Sequence, residues 1–228
     1  MKKRCIINFA KGTWYPRGQQ RLIESLKRQN FKGDMFAFTD ESKIPSLSHQ
    51  EAPYAFKIAA FEKAFSKGYE SILWCDSALH AIRPLEPIFD YIEDNGHMFF
   101  WDGWNCAQWT NDEMLKYFNL SRDQAENISQ ILACFIGLDL SNERTKQFLK
   151  QWKESIPYFN GSWTNQNNTE SQDSRCRGHR HDQSAASIIA TNLGMFDESR
   201  YCNKWLQYLS LSNGNINPEC IMLSEGLV

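Results

Sequence analysis

Ser71-Ile72-Leu73-Trp74-Cys75-Asp76 is the stretch on which the fold turns. Ser71 to Cys75 reads as a strand apolar on both faces, as in the centre of a sheet covered on each side, and it stops abruptly at Asp76. Before it, Tyr54, Ile58, Phe61 and Phe65 recur at helical spacing, which predicts a helix from Pro53 to about Lys67, closed by Gly68. Further upstream, Cys5 to Ala10 and Met35 to Thr39 read as strands. Between them lie the turn-rich segment Lys11 to Gly18 and a helix carrying Leu22, Ile23 and Leu26.

Downstream, Pro84 opens a helix through Ile92, stopped by Asn95-Gly96, and Met98 to Trp101 reads as a strand. Asn111 and Ser121 read as helix caps, the second with Gln124 in a capping box, before the apolar run Leu132 to Leu140 and a helix from Asn142 to Ser155. A helix begins at Asp182, read as its N-cap, and stops at Gly194. Strands separated by helices predict one α/β domain over residues 1–228, a Rossmann-like, mainly parallel sheet with helices on both faces.

The 25 Lys+Arg against 27 Asp+Glu leave a net charge of -2, which argues against nucleic acid or an anionic membrane as partner. No apolar run approaches the ~20 residues of a membrane span, so no span is expected. The seven cysteines are odd in number and contain no Cys-x-x-Cys pair, which fits a cytoplasmic chain better than a disulfide framework or a structural zinc site.

Ligands of open α/β sheets bind beyond the carboxyl ends of the strands. Asp76 is delivered there, as a ligand for a ribose hydroxyl or a divalent cation, or as a cap of the turn that follows. Thr39 and Asp40 end the second strand where a nucleoside would lie, although Asp is common in any turn. Lys57, at the edge of the helical stripe, either reaches phosphate or base in a cleft or snorkels to water. Gly178-His179-Arg180-His181-Asp182-Gln183-Ser184 is the densest chemical cluster: an anion could sit at this helix start, and His179 or His181 could ligate a metal. Trp101-Asp102-Gly103-Trp104-Asn105-Cys106-Ala107-Gln108-Trp109 mixes aromatic faces with planar polar groups, as sugar binding requires. Residues 160–181 are almost wholly polar and show neither helical nor strand period, which predicts a functional or unstructured loop.

In their order along the chain, Phe38-Thr39-Asp40, the helix with Lys57, Leu73-Trp74-Cys75-Asp76-Ser77-Ala78, Phe135-Ile136-Gly137-Leu138-Asp139-Leu140 and His181-Asp182-Gln183-Ser184 resemble the GT-A glycosyltransferases, most closely the family 8-like retaining enzymes. The resemblance implies transfer of a sugar from a nucleotide diphosphate sugar, a UDP-sugar, to a hydroxyl of a glycan or similar acceptor. It assigns Thr39, Asp40, Lys57, Asp76, Ser77 and Arg180 to the donor, Asp182 and Gln183 to catalysis, and Asp102, Trp104 and Asn105 to the acceptor, with residues 160–181 as a lid. A manganese or magnesium ion would find its ligands in Asp76 and His181. Ala78 stands where the family's second metal-binding acid usually lies, and no histidine follows His181, so a catalytically inactive nucleotide-sugar or carbohydrate binding protein is the alternative. A metal hydrolase built on His179, His181 and Asp182 is a third reading.

Overall fold

The computed structural model describes residues 2–196, 203–211 and 214–226; Cys202 lies outside them. In chain order the regular elements are β1 (Arg4–Phe9), α1 (Tyr15–Arg28), β2 (Asp34–Phe38), α2 (Phe56–Ser66), β3 (Ser71–Cys75), β4 (Leu79–Ala81), α3 (Glu86–Asn95), β5 (His97–Met98) and β6 (Trp101–Asn105). There follow α4 (Cys106–Trp109), α5 (Asp112–Tyr117), α6 (Arg122–Ala125), β7 (Ser129–Ile131), β8 (Phe135–Asp139), α7 (Glu143–Glu154), α8 (Asp182–Asn192), β9 (Leu206–Tyr208) and β10 (Met222–Ser224).

The central sheet has the order β2-β1-β3-β8-β5. Side chains of β1 and β3 alternate between two cores, as a strand buried on both faces must. Cys5, Ile7, Ile72 and Trp74 pack with α2, α7 and α8, whereas Ile6, Leu73 and Cys75 pack with α1 and α3. A small sheet, β4-β10-β9, and a hairpin-like pair, β6-β7, complete this single α/β domain.

The sheet is mixed rather than mainly parallel in its pairings. β1 pairs in parallel with β2 and β3, but β8 runs antiparallel to both β3 and β5. The apolar run at Leu132 to Leu140 carries no directional information, and here the chain enters the sheet from the opposite end. Gly137 faces α3: a Cβ there would stand 2.4 Å from Ile92 Cδ1, so the glycine permits the close approach of helix to sheet. The strand expected over Met98 to Trp101 divides into β5 and β6, which belong to different sheets. In the Tyr54 stripe, Ile58 and Phe61 are buried but Phe65 is exposed at the far end of α2.

Residues 160–181 are not structureless. The Asn165 side chain donates to the carbonyls of Ser171 and Cys176 and accepts from the backbone N–H groups of Glu170 and Ser171, pinning the loop from within. The loop is tied to its surroundings by Arg177 N donating to Gln108 O and Arg180 N donating to Trp109 O. At Gly178, φ is 156° and a Cβ would stand 2.0 Å from Trp163 O, so only glycine closes the loop here. Among the described residues no helix is long and apolar enough to cross a membrane.

Candidate functional site

One cavity lies at the carboxyl ends of β1 and β3, and a second, lined largely by β6 and β9, adjoins it. The first, about 430 Å³, is walled by Phe9, Tyr15, His49, Tyr54, Phe56 and Trp74, with Asp76, Ser77 and Ala78 along one side. The second, about 510 Å³, is walled by Trp101, Trp104, Trp163, Leu132, Leu206 and Tyr208 around Asp102, Arg180 and Gln183. Tyr54 of the first and Trp163 of the second meet edge to face, ring centroids 5.9 Å apart. Open depressions of 640 Å³ along α7 and 620 Å³ beside α5 and α6 are larger, but are lined mostly by solvated polar and charged side chains.

Behind the first cavity lies a buried charge cluster. Lys57, in the first turn of α2, is 3% exposed and does not snorkel. Its ammonium donates to Ala133 O at 3.0 Å, lies 2.9 Å from Asp182 Oδ2 and 3.9 Å from Asp76 Oδ1, and sits over the rings of Tyr54 and Trp74. Burial pulls the Lys57 pKa down, but Asp182 and then Asp76 outweigh it, and the net shift is upward. Asp76 Oδ1 also accepts from Trp74 Nε1 at 2.6 Å, and the remainder of its carboxylate faces the cavity.

Asp182 is the first helical residue of α8 and not its N-cap. His181 occupies the cap position with φ 51° and ψ −115°, a strained conformation for a residue with a Cβ. That kink turns the Asp182 carboxylate inward, where it is 2% exposed, and burial raises its pKa to about 6 against the opposing pull of Lys57. Gln183 lines the second cavity, where it donates to Asp102 Oδ2 at 2.7 Å and accepts from Ala133 N at 3.2 Å. Asp102 Oδ1 accepts from Trp104 N, and burial pushes the Asp102 carboxyl up to about 6.

The remaining candidates divide. Arg180 lies in the second cavity, with Trp104 and Asp102, and not in the one that holds Asp76. Ser77 is 4% exposed and hydrogen-bonds Asn8, whose amide also donates to Cys75 O and accepts from Gln19 Nε2. Thr39 and Asp40 are exposed, and both oxygens of Asp40 accept from Ser42, as in the turn reading. Asn105 caps α4 in a capping box with Gln108. His179 is fully buried with both ring nitrogens engaged, by Asn111 N and Tyr158 O, and burial lowers its pKa to about 3. His181 Nδ1 donates to Phe159 O at 2.6 Å, its Nε2 is buried without a partner, and burial lowers its pKa to about 4.

Asp76 and His181 belong to no cluster of three or more His, Cys, Asp or Glu among the described residues. The Lys57 ammonium stands 3.9 Å from Asp76, where it repels a metal ion. Asn8 was missed by sequence reading, although a polar residue interrupting Ile6-Ile7-Asn8-Phe9 is the same signal that singled out Asp76. Tyr54, read as the first residue of a helical stripe, lies ahead of α2 with φ 66°, and Trp163 gave no local signal, because what matters is that two distant segments bring their rings together. Compared with protein-family models and with curated proteins, the chain matches none.

Proposed function

We propose that the protein is a glycosyltransferase that moves a sugar from a nucleotide diphosphate sugar, a UDP-sugar, to a hydroxyl of a glycan or similar acceptor. The observation that carries this reading is the adjacency of two chemically different cavities, one of them at the strand ends. One is an aromatic slot ending in the carboxylate of Asp76, suited to stack a base and accept a ribose hydroxyl. The other is a tryptophan-walled bowl with Asp102 and Gln183, suited to a sugar's C–H face and hydroxyls. The sugar would be transferred where Tyr54 and Trp163 meet. Asp182 is locked against Lys57, so its role is to place negative charge behind the reacting centre and to hold α8 in position. Retention of anomeric configuration goes with the family 8 likeness.

A panel of nucleotide sugars, with and without manganese, tests the reading by thermal shift followed by product analysis. A ligand that binds only the folded state raises its melting temperature. A UDP-sugar is expected to do so and to be turned over with an acceptor; a panel with no shift at all overturns the proposal. Binding without turnover or hydrolysis would select the inactive binding protein, for which Ala78 on the wall of the Asp76 cavity is the favouring observation.

A further inference from the structure

Arg180 is held differently from the ion-paired arginines of this chain. Arg4, Arg21, Arg122 and Arg175 each pair with a carboxylate. The Arg180 guanidinium lies 3.8 Å from the ring centroid of Trp109 and 4.2 Å from that of Trp163, and among the described residues no carboxylate stands within ion-pair distance of it. Two indoles this close meet the guanidinium carbon through cation–π contact, which leaves its N–H groups as the means of binding an anion. The one acid in the cavity, Asp102, already accepts from Trp104 N and from Gln183 Nε2.

A second arginine repeats the arrangement at the rim. Arg177 lies 4.6 Å from the ring centroid of Trp104, again with no carboxylate partner among the described residues. Two unpaired guanidinium groups thus rest on tryptophans that wall or flank one bowl of about 510 Å³, a volume within the range of small-ligand sites. Tryptophan faces favour a sugar ring, and a planar guanidinium edge favours a carboxylate or phosphate through paired N–H donors.

We infer that this cavity takes a saccharide bearing an anionic group, a sugar acid or a sugar phosphate, with Arg180 as the anchor of the anion and Arg177 as an outer positive charge. The inference rests on the glycosyltransferase reading in so far as it names the class of acceptor, but its test uses no nucleotide.

The full chain is titrated calorimetrically with glucose, glucuronate, glucose 6-phosphate and inorganic phosphate. At least one anionic sugar is expected to bind about tenfold or more tighter than glucose, and which of the two binds tighter distinguishes a carboxylate from a phosphate ligand. Arg180→Gln should bring anionic and neutral sugars to equal affinity, and Arg180→Lys should restore part of the difference. Equal binding of glucose and both anionic sugars, inorganic phosphate binding as tightly as either anionic sugar, or an unaltered Arg180→Gln variant each overturns the inference. Should Arg180→Gln fail to fold, the native chain still decides. Raising NaCl from about 50 to about 500 mM should weaken the anionic sugars several-fold and leave glucose unchanged, and salt-independent binding overturns the proposal. Failure here leaves the donor cavity standing, because that reading depends on the melting shift with a UDP-sugar.

Discussion

The ammonium of Lys57 and the carboxylate of Asp182 form an ion pair of 2.9 Å in which both side chains are almost wholly shielded from water. Removing one partner leaves the other charged and buried, which typically costs ~3–5 kcal/mol. Asp182→Asn and Lys57→Met should therefore each lower the melting temperature by about 5 °C or more, at ~2–4 °C per kcal/mol for a chain of this size. Lys57→Met/Asp182→Leu should recover much of that loss. A near-native melting temperature for Asp182→Asn would mean that the carboxylate contributes no more than an exposed helix-end residue.

Asp76→Asn separates binding from folding. The new amide oxygen can still accept from Trp74 Nε1, but Lys57 loses the more distant of its two carboxylates, so the melting temperature should fall by less than for Asp182→Asn and the chain should still fold. The melting shift given by a UDP-sugar should disappear. A variant that keeps the full shift would assign Asp76 to the turn alone.

Asp102 makes stability depend on pH. Its carboxyl titrates near 6 in the folded chain against an ordinary value of 3.8. Between those two values the folded chain binds more protons than the unfolded one, so this group's contribution falls as pH rises from about 4 to about 6 and is constant above. Asp102→Asn removes the effect and keeps one acceptor oxygen, for Trp104 N, while the amide nitrogen in place of Oδ2 no longer accepts from Gln183 Nε2, a loss that does not vary with pH. The stability of the variant relative to the native chain should therefore rise with pH across that window, by at most ~1.4 kcal/mol per pH unit, then level off. His179 and His181 act in the opposite direction, their lowered pKa values weakening the fold as pH drops below 6.5, but both are present in each protein and cancel in the difference. A flat difference between pH 4 and 7 would place the Asp102 carboxyl in water.

The Asn165 loop should resist trypsin despite its polar composition. Arg175 pairs with Asp123, Glu126 and Asp173, and Arg177 is tied through its backbone to Gln108. Asn165→Ala deletes four side-chain hydrogen bonds, a loss of about 2 kcal/mol or more from local stability, and should open cleavage at Arg175 and Arg177. Rapid cleavage of the native chain at those sites would contradict the hydrogen-bonded loop.

Elements that announce themselves through local pattern were legible in the sequence. β3 runs from Ser71 to Cys75 as its apolar run predicts, Asn142 caps α7, Gly96 ends α3 with φ 81°, and the Ser121–Gln124 capping box is formed. The direction of β8 was not legible, because strand polarity is decided by where the connection enters the sheet. Nor was the cap of α8: Asp182 has the right residue type, but the positive φ of His181 shifts the helix start by one residue and redirects the carboxylate to Lys57, a partner 125 positions earlier in the chain. The order inside residues 160–181 escaped for a related reason. Hydrogen bonds from an asparagine to backbone groups leave no hydrophobic period to read.

The pairing of β10 with β4 joins Met222, Leu223 and Ser224 to Ala81, His80 and Leu79. Met222 is fully buried in the core shared with Leu79, Ile88 and Phe89. A ribosome therefore releases β4 long before its partner exists, and this edge of the nascent domain stays open while more than a hundred further residues are added. Final closure is a late event that joins the two halves of the chain, and its rate is governed by a long-range search rather than by local helix formation. During that interval the exposed edge of β4 is the place where another chain could pair in error.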